Sequence, residues 1–240
     1  MLILALESSA KPVSVAVYQA SDAESCGKLL GQSFQNNGFS HSRTLMPMAE
    51  ALLKNLELNL SDIGLIAVAG GPGSFTGVRI GVSAAKGLAW GLDVPVCGVS
   101  TLEAMAYQTQ KDGAIICPVM DARRQQVYNA LFEWQNGTLL RHTDDRAISL
   151  ENFAEDLRRY SSMPVILVGD GAEITDAFLK NTHESEAFSN CHPASELQRC
   201  QTALGVALAA LNSKQILSAD LEPSYLRPSQ AERMRSASSH

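Results

Sequence analysis

Residues 69–77 read Ala-Gly-Gly-Pro-Gly-Ser-Phe-Thr-Gly, and this stretch decides the fold. The apolar run before it, Leu65 to Ala69, has the length of a short buried strand. After it, apolar residues recur every three or four positions from about Thr76 to Leu92, which predicts a helix with an apolar face. A strand, a glycine-rich turn and a helix in this order favour an α/β protein.

The glycine-rich turn admits two interpretations. Backbone N–H groups at a helix start can face an anion, and Gly70, Gly71 and Gly73 would allow a close approach. Ser74 or Thr76 would cap the helix. The Walker pattern requires a Gly-Lys-Ser/Thr end that is missing here, and the dinucleotide pattern GxGxxG breaks at Thr76. A tight structural turn is the alternative, and both interpretations remain open.

The N-terminal segment predicts a β-hairpin. Leu2 to Leu6 is continuously apolar, and from Val13 to Val17 valines alternate with small or polar residues. A third strand is expected from Leu29 to Phe34. From Ser40 to Leu56 the spacing of apolar residues changes to that of a helix, with Pro47 in its first turns.

The second half of the sequence repeats this scheme. An apolar run from Ala114 to Met120 ends at Asp121, and a strand from Val127 to Trp134 follows. The next strand, Val165 to Val168, runs into Gly169-Asp170-Gly171 and a predicted helix. Both halves thus contain a strand that ends at an acidic residue, and later a strand that runs into a glycine turn and a helix. Two such agreements in the same order indicate an internal duplication.

Further elements complete the α/β pattern. Ser100 is expected to cap a helix through Ala106, with Glu103 placed for a capping box. Asn136-Gly137 predicts a hairpin turn. Two more helices are predicted, from Ser149 to about Tyr160 and from Ala194 to Leu211. The polar tail from Ser229 onward is expected to be disordered.

The acidic residues at the two predicted hairpin turns suggest a cleft. Glu7, followed by Ser8 and Ser9, and Asp121 could face each other between the halves and hold hydrated magnesium and phosphates. Gly169 and Gly171 would then belong to the same nucleotide site. The alternative is that each acid caps its own turn.

Composition limits the classes of function. The net charge of -6 argues against a broad nucleic-acid footprint, because phosphate contacts require clustered Lys and Arg. The five cysteines include no CxxC pair, so reduced thiols are expected. We expect no signal peptide, because no basic segment followed by a long apolar core stands near residue 1, and the apolar stretch Ala203 to Leu211 is too short to span a membrane. These features predict a soluble cytoplasmic protein that makes no membrane contact.

Several motifs in order along the chain resemble the TsaB (YeaZ) family of bacterial tRNA threonylcarbamoyladenosine biosynthesis proteins. The most specific is the run from Gly71 to Gly81, Gly-Pro-Gly-Ser-Phe-Thr-Gly-Val-Arg-Ile-Gly. The other matching stretches are Leu2–Ser9, His41–Pro47, Gly98–Leu102, Asp121–Arg123 with Val127-Tyr128, and Glu222–Arg227.

The resemblance implies an actin-like ATPase (ASKHA) fold with two duplicated βββαβα-type domains. The expected divisions are an N-terminal domain over 1–100, a C-terminal domain over 101–214, and a terminal segment with a flexible tail over 215–240. The resemblance also implies a non-catalytic scaffold for the homologous subunit TsaD, acting with the ATPase TsaE. That assembly transfers threonylcarbamoyl from threonylcarbamoyl-AMP to N6 of the adenosine 3′ to the anticodon, in tRNAs that read codons starting with A.

The histidines agree with a subunit that has no catalytic residue or metal ligand of its own. The catalytic relative holds its metal through a His-x-x-x-His pair, since two imidazoles one helical turn apart can chelate one ion. No two of the five histidines here have that spacing, and Leu45 stands four residues after His41. A role as an independent actin-like phosphotransferase is the alternative, and it would require ATP or ADP with magnesium. In the scaffold role, nucleotide binding would be absent, weak or shared with the partner at the interface.

The first-half helices are the expected docking surface. By resemblance, they pack against the equivalent helices of TsaD, or against a second copy of this chain, and tRNA is contacted mainly through the complex. The alternative is that their apolar faces only cover the sheet. The candidate interface residues are His41, Leu45, Met46, Met48, Leu52, Val78, Ile80, Val82, Ala85 and Leu88.

Overall fold

The computed structural model describes residues 1–21, 27–38 and 40–227, apart from the side chain of Leu197. The predicted disorder from Ser229 onward therefore lies outside the described residues. Within them, every helix is too short or too polar to cross a membrane.

The first half is a five-stranded sheet with helices packed on it. Its elements are β1 (Leu2–Glu7), β2 (Val13–Gln19), β3 (Lys28–Gln35), α1 (His41–Asn55), β4 (Ile63–Gly71), α2 (Phe75–Leu92), β5 (Val96–Ser100) and α3 (Thr101–Gln108). The strand order is β3-β2-β1-β4-β5. The first three strands are antiparallel, while β4 and β5 lie parallel to β1.

The second half repeats this order with a hairpin inserted. Its elements are β6 (Ile115–Asp121), β7 (Gln126–Asn129), β8 (Phe132–Gln135), β9 (Thr138–Arg141), β10 (Arg146–Ser149), α4 (Leu150–Leu157), β11 (Val165–Val168), α5 (Ala172–Lys180), β12 (Cys191–Pro193), α6 (Glu196–Arg199) and α7 (Ala203–Ala210). The path β10-β7-β6-β11-β12 corresponds strand for strand to the first sheet, and the β8–β9 hairpin lies beside β6. The duplication and the actin-like α/β fold are therefore confirmed.

The two halves exchange their last helices. Leu102 and Met105 of α3 pack in a core with Ile116 and Phe132 of the second half. Reciprocally, α7, which lies within the predicted 101–214 unit, packs on the first sheet against β1, β2, β4 and β5. The two helices also pack on each other, so they form the central connection between the sheets.

The prediction of one strand from Val127 to Trp134 is wrong, because the chain bends at Ala130 and Leu131. The buried Asn129 side chain donates to the carbonyl oxygens of Pro118 at 3.0 Å and Ala130 at 3.1 Å. These bonds satisfy backbone carbonyls where β6 changes partners from β7 to β8. The predicted Asn136-Gly137 hairpin turn is confirmed, and both residues have positive φ.

The single helix predicted from Ala194 to Leu211 is also wrong, since the chain is extended between α6 and α7. The Gln108 side chain donates to the Cys200 carbonyl oxygen at 3.0 Å and accepts from the Thr202 amide at 3.2 Å. Tertiary hydrogen bonds thus replace the helical ones at this point. Ser100 caps α3 as predicted, but Glu103 pairs with Arg141 and does not complete a capping box.

Candidate functional site: the cleft between the halves

A cleft of about 490 Å³ lies between the two halves. The first half contributes the turn after β1 and the glycine-rich turn, and the second half contributes the end of β6 and Asp170. A terminal segment from Ser224 to Arg227 lines it as well. The lining residues are Ser9, Ala10, Lys11, His41, Pro72, Gly73, Ser74, Phe75, Met120, Asp121, Ala122, Arg123, Tyr128, Asp170, Ser224, Tyr225, Leu226 and Arg227.

The glycine-rich turn packs tightly against the turn after β1. A Cβ on Gly73 would overlap the carbonyl oxygen of Ser9, and one on Gly77 would overlap that of Ser8. The Ser74 amide donates to the Ser9 carbonyl oxygen at 2.6 Å. This N–H group is therefore already used within the chain, and the contacts support the interpretation of residues 69–77 as a tight structural turn.

Ser74 also performs the predicted capping of α2. Its Oγ accepts a hydrogen bond from the Gly77 amide at 3.3 Å, and α2 begins at Phe75. Gly71 has φ +118° and leaves room for the backbone of Ser224, whereas a Cβ on Gly70 would make only ordinary contacts. The glycines at 71, 73 and 77 thus allow three backbone segments to meet.

Glu7 is fully buried and does not line the cleft. Its Oε1 accepts from the Ser9 amide at 2.6 Å, while Oε2 is buried without a well-formed hydrogen bond to any described residue. Burial raises the pKa of Glu7 to about 7, and hydrogen bonds from Ser9 offset only part of this shift. The hypothesis that Glu7 faces Asp121 across the cleft does not fit this placement, because the Glu7 side chain is in the core.

Asp121 does line the cleft, and its carboxylate stabilises the turn that follows it. Oδ1 accepts from the Arg123 amide at 2.7 Å, and Oδ2 lies 3.3 Å from the Arg123 guanidinium. Residues 123 to 125 all have positive φ, an uncommon backbone that these bonds support. The contacts favour the alternative in which Asp121 caps its turn.

The second glycine turn is packed like the first. Gly169 has φ +101°, and a Cβ there would overlap the carbonyl oxygen of Val119. The Gly171 amide donates to the same oxygen at 3.0 Å. Asp170 between them lines the cleft, where desolvation and then the nearby Asp121 charge raise its pKa. Of the residues proposed to hold a magnesium nucleotide, Gly73, Ser74, Asp121 and the buried Ser9 line the cleft. The other six, Glu7, Ser8, Gly70, Gly71, Gly169 and Gly171, do not line it.

The sequence patterns did not single out Asp170, Tyr225 and Arg227 as lining the cleft, nor Arg79 as the partner of Tyr225. Tyr225 stacks on Phe75 with ring centroids 4.7 Å apart, and its hydroxyl accepts from Arg79 Nε at 2.9 Å. Arg227 donates to the Ala122 carbonyl oxygen at 2.8 Å. The family motif Glu222–Arg227 contains Tyr225 and Arg227, so it is the sequence signal that points to these two residues.

The candidate interface residues separate into three groups. Six are buried in the core of the first half: Leu45, Met48, Leu52, Val78, Val82 and Ala85. Met46 is 39% exposed, while Ile80 and Leu88 are half-buried. His41 lines the cleft, and its Nε2 lies 3.2 Å from the Pro12 carbonyl oxygen. Trp90, 81% exposed near the end of α2, was missed by the sequence reasoning.

No group of three or more His, Cys, Asp or Glu side chains among the described residues is arranged to hold a metal ion. Cys97, Cys117 and Cys191 are buried free thiols, and burial raises the pKa of each. These thiols are therefore poor nucleophiles in the folded chain.

Comparisons with known proteins agree with one another. The family model described as "TsaD: tRNA N6-adenosine threonylcarbamoyltransferase" matches residues 37–234. The tRNA threonylcarbamoyladenosine biosynthesis protein TsaB of Escherichia coli is 31% identical over 173 residues, 71% of this chain and 72% of the relative. TsaB of Bacillus subtilis is 37% identical over 149 residues, 62% of this chain and 65% of the relative, slightly under two thirds of its length. The structure of YeaZ from Pseudomonas aeruginosa shares the fold, with a TM-score of 0.75 and 24% identity over 94% of this chain and 99% of that one.

Proposed function

The chain belongs to the TsaB (YeaZ) family of tRNA threonylcarbamoyladenosine biosynthesis proteins, and on this basis we propose that it is a non-catalytic subunit in that modification. It activates a TsaD-type paralogue, which transfers threonylcarbamoyl from threonylcarbamoyl-AMP to N6 of the adenosine 3′ to the anticodon. A TsaE-type ATPase takes part, and tRNA is contacted mainly through the complex. The assembly works in the cytoplasm.

The observation that carries this proposal is the uncharged outer face of α2. Only two residues of this helix are charged, and both form hydrogen bonds with residues between Ala219 and Tyr225. Arg79 donates to Tyr225, and Lys86 donates to the carbonyl oxygens of Ala219 and Leu221 at 3.0 Å each. The other outward positions of α2 carry small or uncharged side chains: Thr76, Ile80, Ser83, Ala84, Gly87, Leu88, Trp90 and Gly91.

Such a face suits a helix of a partner protein. Interface cores are depleted of charge and enriched in aromatic residues, and small side chains let helices approach closely. Trp90 is the kind of residue that dominates binding energy when a partner covers it. The exposed Met46 on neighbouring α1 extends the same surface. We take the partner to be the TsaD-type paralogue, and a second copy of this chain is the competing occupant when the partner is absent.

Reconstitution of the transfer tests the proposal. We expect the TsaD-type protein with TsaE, threonylcarbamoyl-AMP and tRNA to transfer about tenfold faster or more when this chain is added. This chain without the TsaD-type protein should transfer nothing. Full activity of the other components in its absence would refute the proposal, as would transfer by this chain alone.

Docking is tested with Ser83→Arg and Trp90→Ala, which change exposed residues of α2. Both should reduce co-elution with the TsaD-type protein while the melting temperature stays near that of the unmodified chain. Ser161→Arg is the matched control, because Ser161 is exposed on the second half, away from α2. Normal co-elution of both α2 variants would exclude this face as the docking surface.

A further inference from the structure

The chain ends, within its described part, in a strap that crosses from the first half to the second. We define the strap as residues 216–227. It begins beside β5, where Ile216 and Val96 exchange two backbone hydrogen bonds of 2.9 and 3.0 Å. Leu221 then enters the core of the first half, where it is 2% exposed. The start of the strap is therefore fixed to the first half.

The middle of the strap lies on the glycine-rich turn. The Ser224 amide donates to the Gly70 carbonyl oxygen at 2.7 Å, and the Ser224 carbonyl occupies the space that a Cβ of Gly71 would need. A larger residue at 71 would push the strap away, so the missing side chain is what allows the two segments to touch.

The next residue, Tyr225, contacts two residues of α2. Its ring stacks on Phe75, and its hydroxyl accepts from Arg79, whose guanidinium lies 4.0 Å from the Phe75 ring centroid. Aromatic stacking and cation–π contacts each add to the energy of burial. Because Phe75 and Arg79 both belong to the first two turns of α2, Tyr225 anchors the strap to that helix.

The strap then reaches the opposite wall of the cleft. Arg227 Nη1 donates to the Ala122 carbonyl oxygen at 2.8 Å. Ala122 directly follows β6 and starts the turn with positive φ that Asp121 supports. A charged donor makes this a strong type of hydrogen bond. It joins the second half to a segment that is bonded to the first half through Ile216, Ser224 and Tyr225.

We propose that the strap is a latch that fixes the separation of the two halves across the cleft. Tyr225 anchors the strap to the first half, and the hydrogen bond of Arg227 joins it to the second. This inference concerns the conformation of the chain itself and does not depend on the proposed function. The exchanged helices α3 and α7 connect the halves centrally, and the latch restrains the cleft at its mouth. Without the latch, the central helices would be left to set the separation of the halves, and a hinge rotation about them would open the cleft.

Distance measurements between spin labels test the latch in the full chain. Exposed Lys54 on α1 and Lys180 on α5 are replaced by cysteine, in a background where Cys26 and Cys200 are serine. Arg227→Met removes the donor and keeps much of the side-chain length, whereas Tyr225→Ala removes the anchor. We expect each to raise the population of open forms about fivefold, seen as a broader distance distribution.

Arg158→Met is the control, because the Arg158 side chain pairs with Glu155 and Glu184, which both belong to the second half. It should leave the distribution at its original width. Hydrogen exchange gives a second measurement, in which the Ser224 amide should exchange faster in Tyr225→Ala and remain protected in Tyr225→Phe, which keeps the ring. An unchanged distance distribution in either Arg227→Met or Tyr225→Ala would overturn the latch.

Discussion

The Ser8 hydroxyl donates to the Gly77 carbonyl oxygen at 2.9 Å, which joins the turn after β1 to the first turn of α2. The bond is buried and spans 69 positions of sequence. It is possible only because Gly77 has no Cβ, since the backbone of Ser8 occupies that space. The glycine-rich run therefore brings a helix and a hairpin into backbone contact.

This contact predicts opposite effects for two glycines of the same helix. Gly77→Ala should destabilise the fold by about 1–3 kcal/mol, because the new methyl group overlaps the Ser8 carbonyl oxygen. Gly87→Ala should stabilise it by about 0.5–1 kcal/mol, because nothing lies within 4 Å of the added Cβ and alanine favours the helix. Urea unfolding of both variants measures the difference, and equal stabilities would contradict this packing.

The raised pKa of Glu7 predicts that the folded chain loses stability as the pH rises. Its pKa is raised to about 7 in the folded chain from an ordinary value of 4.5, so between these values the folded state binds more protons than the unfolded state. The free energy of unfolding should therefore fall as the pH rises from about 4.5 to 7, by about 3 kcal/mol in total for this group.

Glu7→Gln should abolish that part of the pH dependence, because a neutral amide cannot ionise. The variant should gain stability relative to the unmodified chain as the pH is raised from 5 to 8.5, measured by urea unfolding at both values. Glu155→Gln, at an exposed site, serves as the control. A stability difference between Glu7→Gln and the unmodified chain that does not change with pH would rule out this role for the buried carboxyl.

Substitutions at two neighbouring positions of α2 distinguish an effect on folding from an effect on docking. Val82 is 3% exposed in the core of the first half, whereas Ser83 faces outward. Val82→Glu should destabilise the chain by about 3–5 kcal/mol, since it buries an unpaired charge. Ser83→Glu should leave the melting temperature nearly unchanged and weaken only the proposed docking. Thermal unfolding followed by co-elution distinguishes them, and a stable Val82→Glu chain would contradict the burial of this face.

We expect the bend at Ala130 and Leu131 to depend on the side chain of Asn129. Asn129→Leu should cost about 1–3 kcal/mol, because the buried carbonyl oxygens of Pro118 and Ala130 lose their donor. Asn212→Ala is a suitable control, since its bond to the Tyr107 hydroxyl is exposed. Chemical denaturation of both variants would show whether the bend relies on this amide, and equal small losses would argue that it does not.

Local sequence patterns were sufficient for most elements of the fold. The apolar run at Leu2–Leu6, the spacing along Phe75–Leu92 and the Asn136-Gly137 turn each specify a structure through neighbouring residues. The order of these elements, repeated twice, was enough to predict the duplication. The family motifs identified the relatives that the comparisons then confirmed.

The candidate site was less predictable, because its geometry comes from residues far apart in sequence. Whether Glu7 points into the cleft or into the core depends on how the turn after β1 packs against the glycine-rich turn, which contacts the neighbouring Ser8 and Ser9. Similarly, the apolar residues of α1 and α2 have the same spacing whether a sheet or a partner covers them. Only the structure shows that Val82 faces the sheet and Trp90 faces outward.

The sequence by itself thus determined most of the elements, their order and the family, since these depend on periodicity, turn chemistry and motifs within short stretches. The breaks at Ala130 and at Cys200 were not among them. The tertiary structure alone decided three features: the exchange of α3 and α7 between the halves, the burial of Glu7, and the path of the strap from Ile216 to Arg227. Each is fixed by contacts between segments tens of residues apart, such as Tyr225 on Phe75 and Gln108 on Thr202. No local pattern encodes which distant surface a segment will meet, because that choice is made by packing the whole core at once.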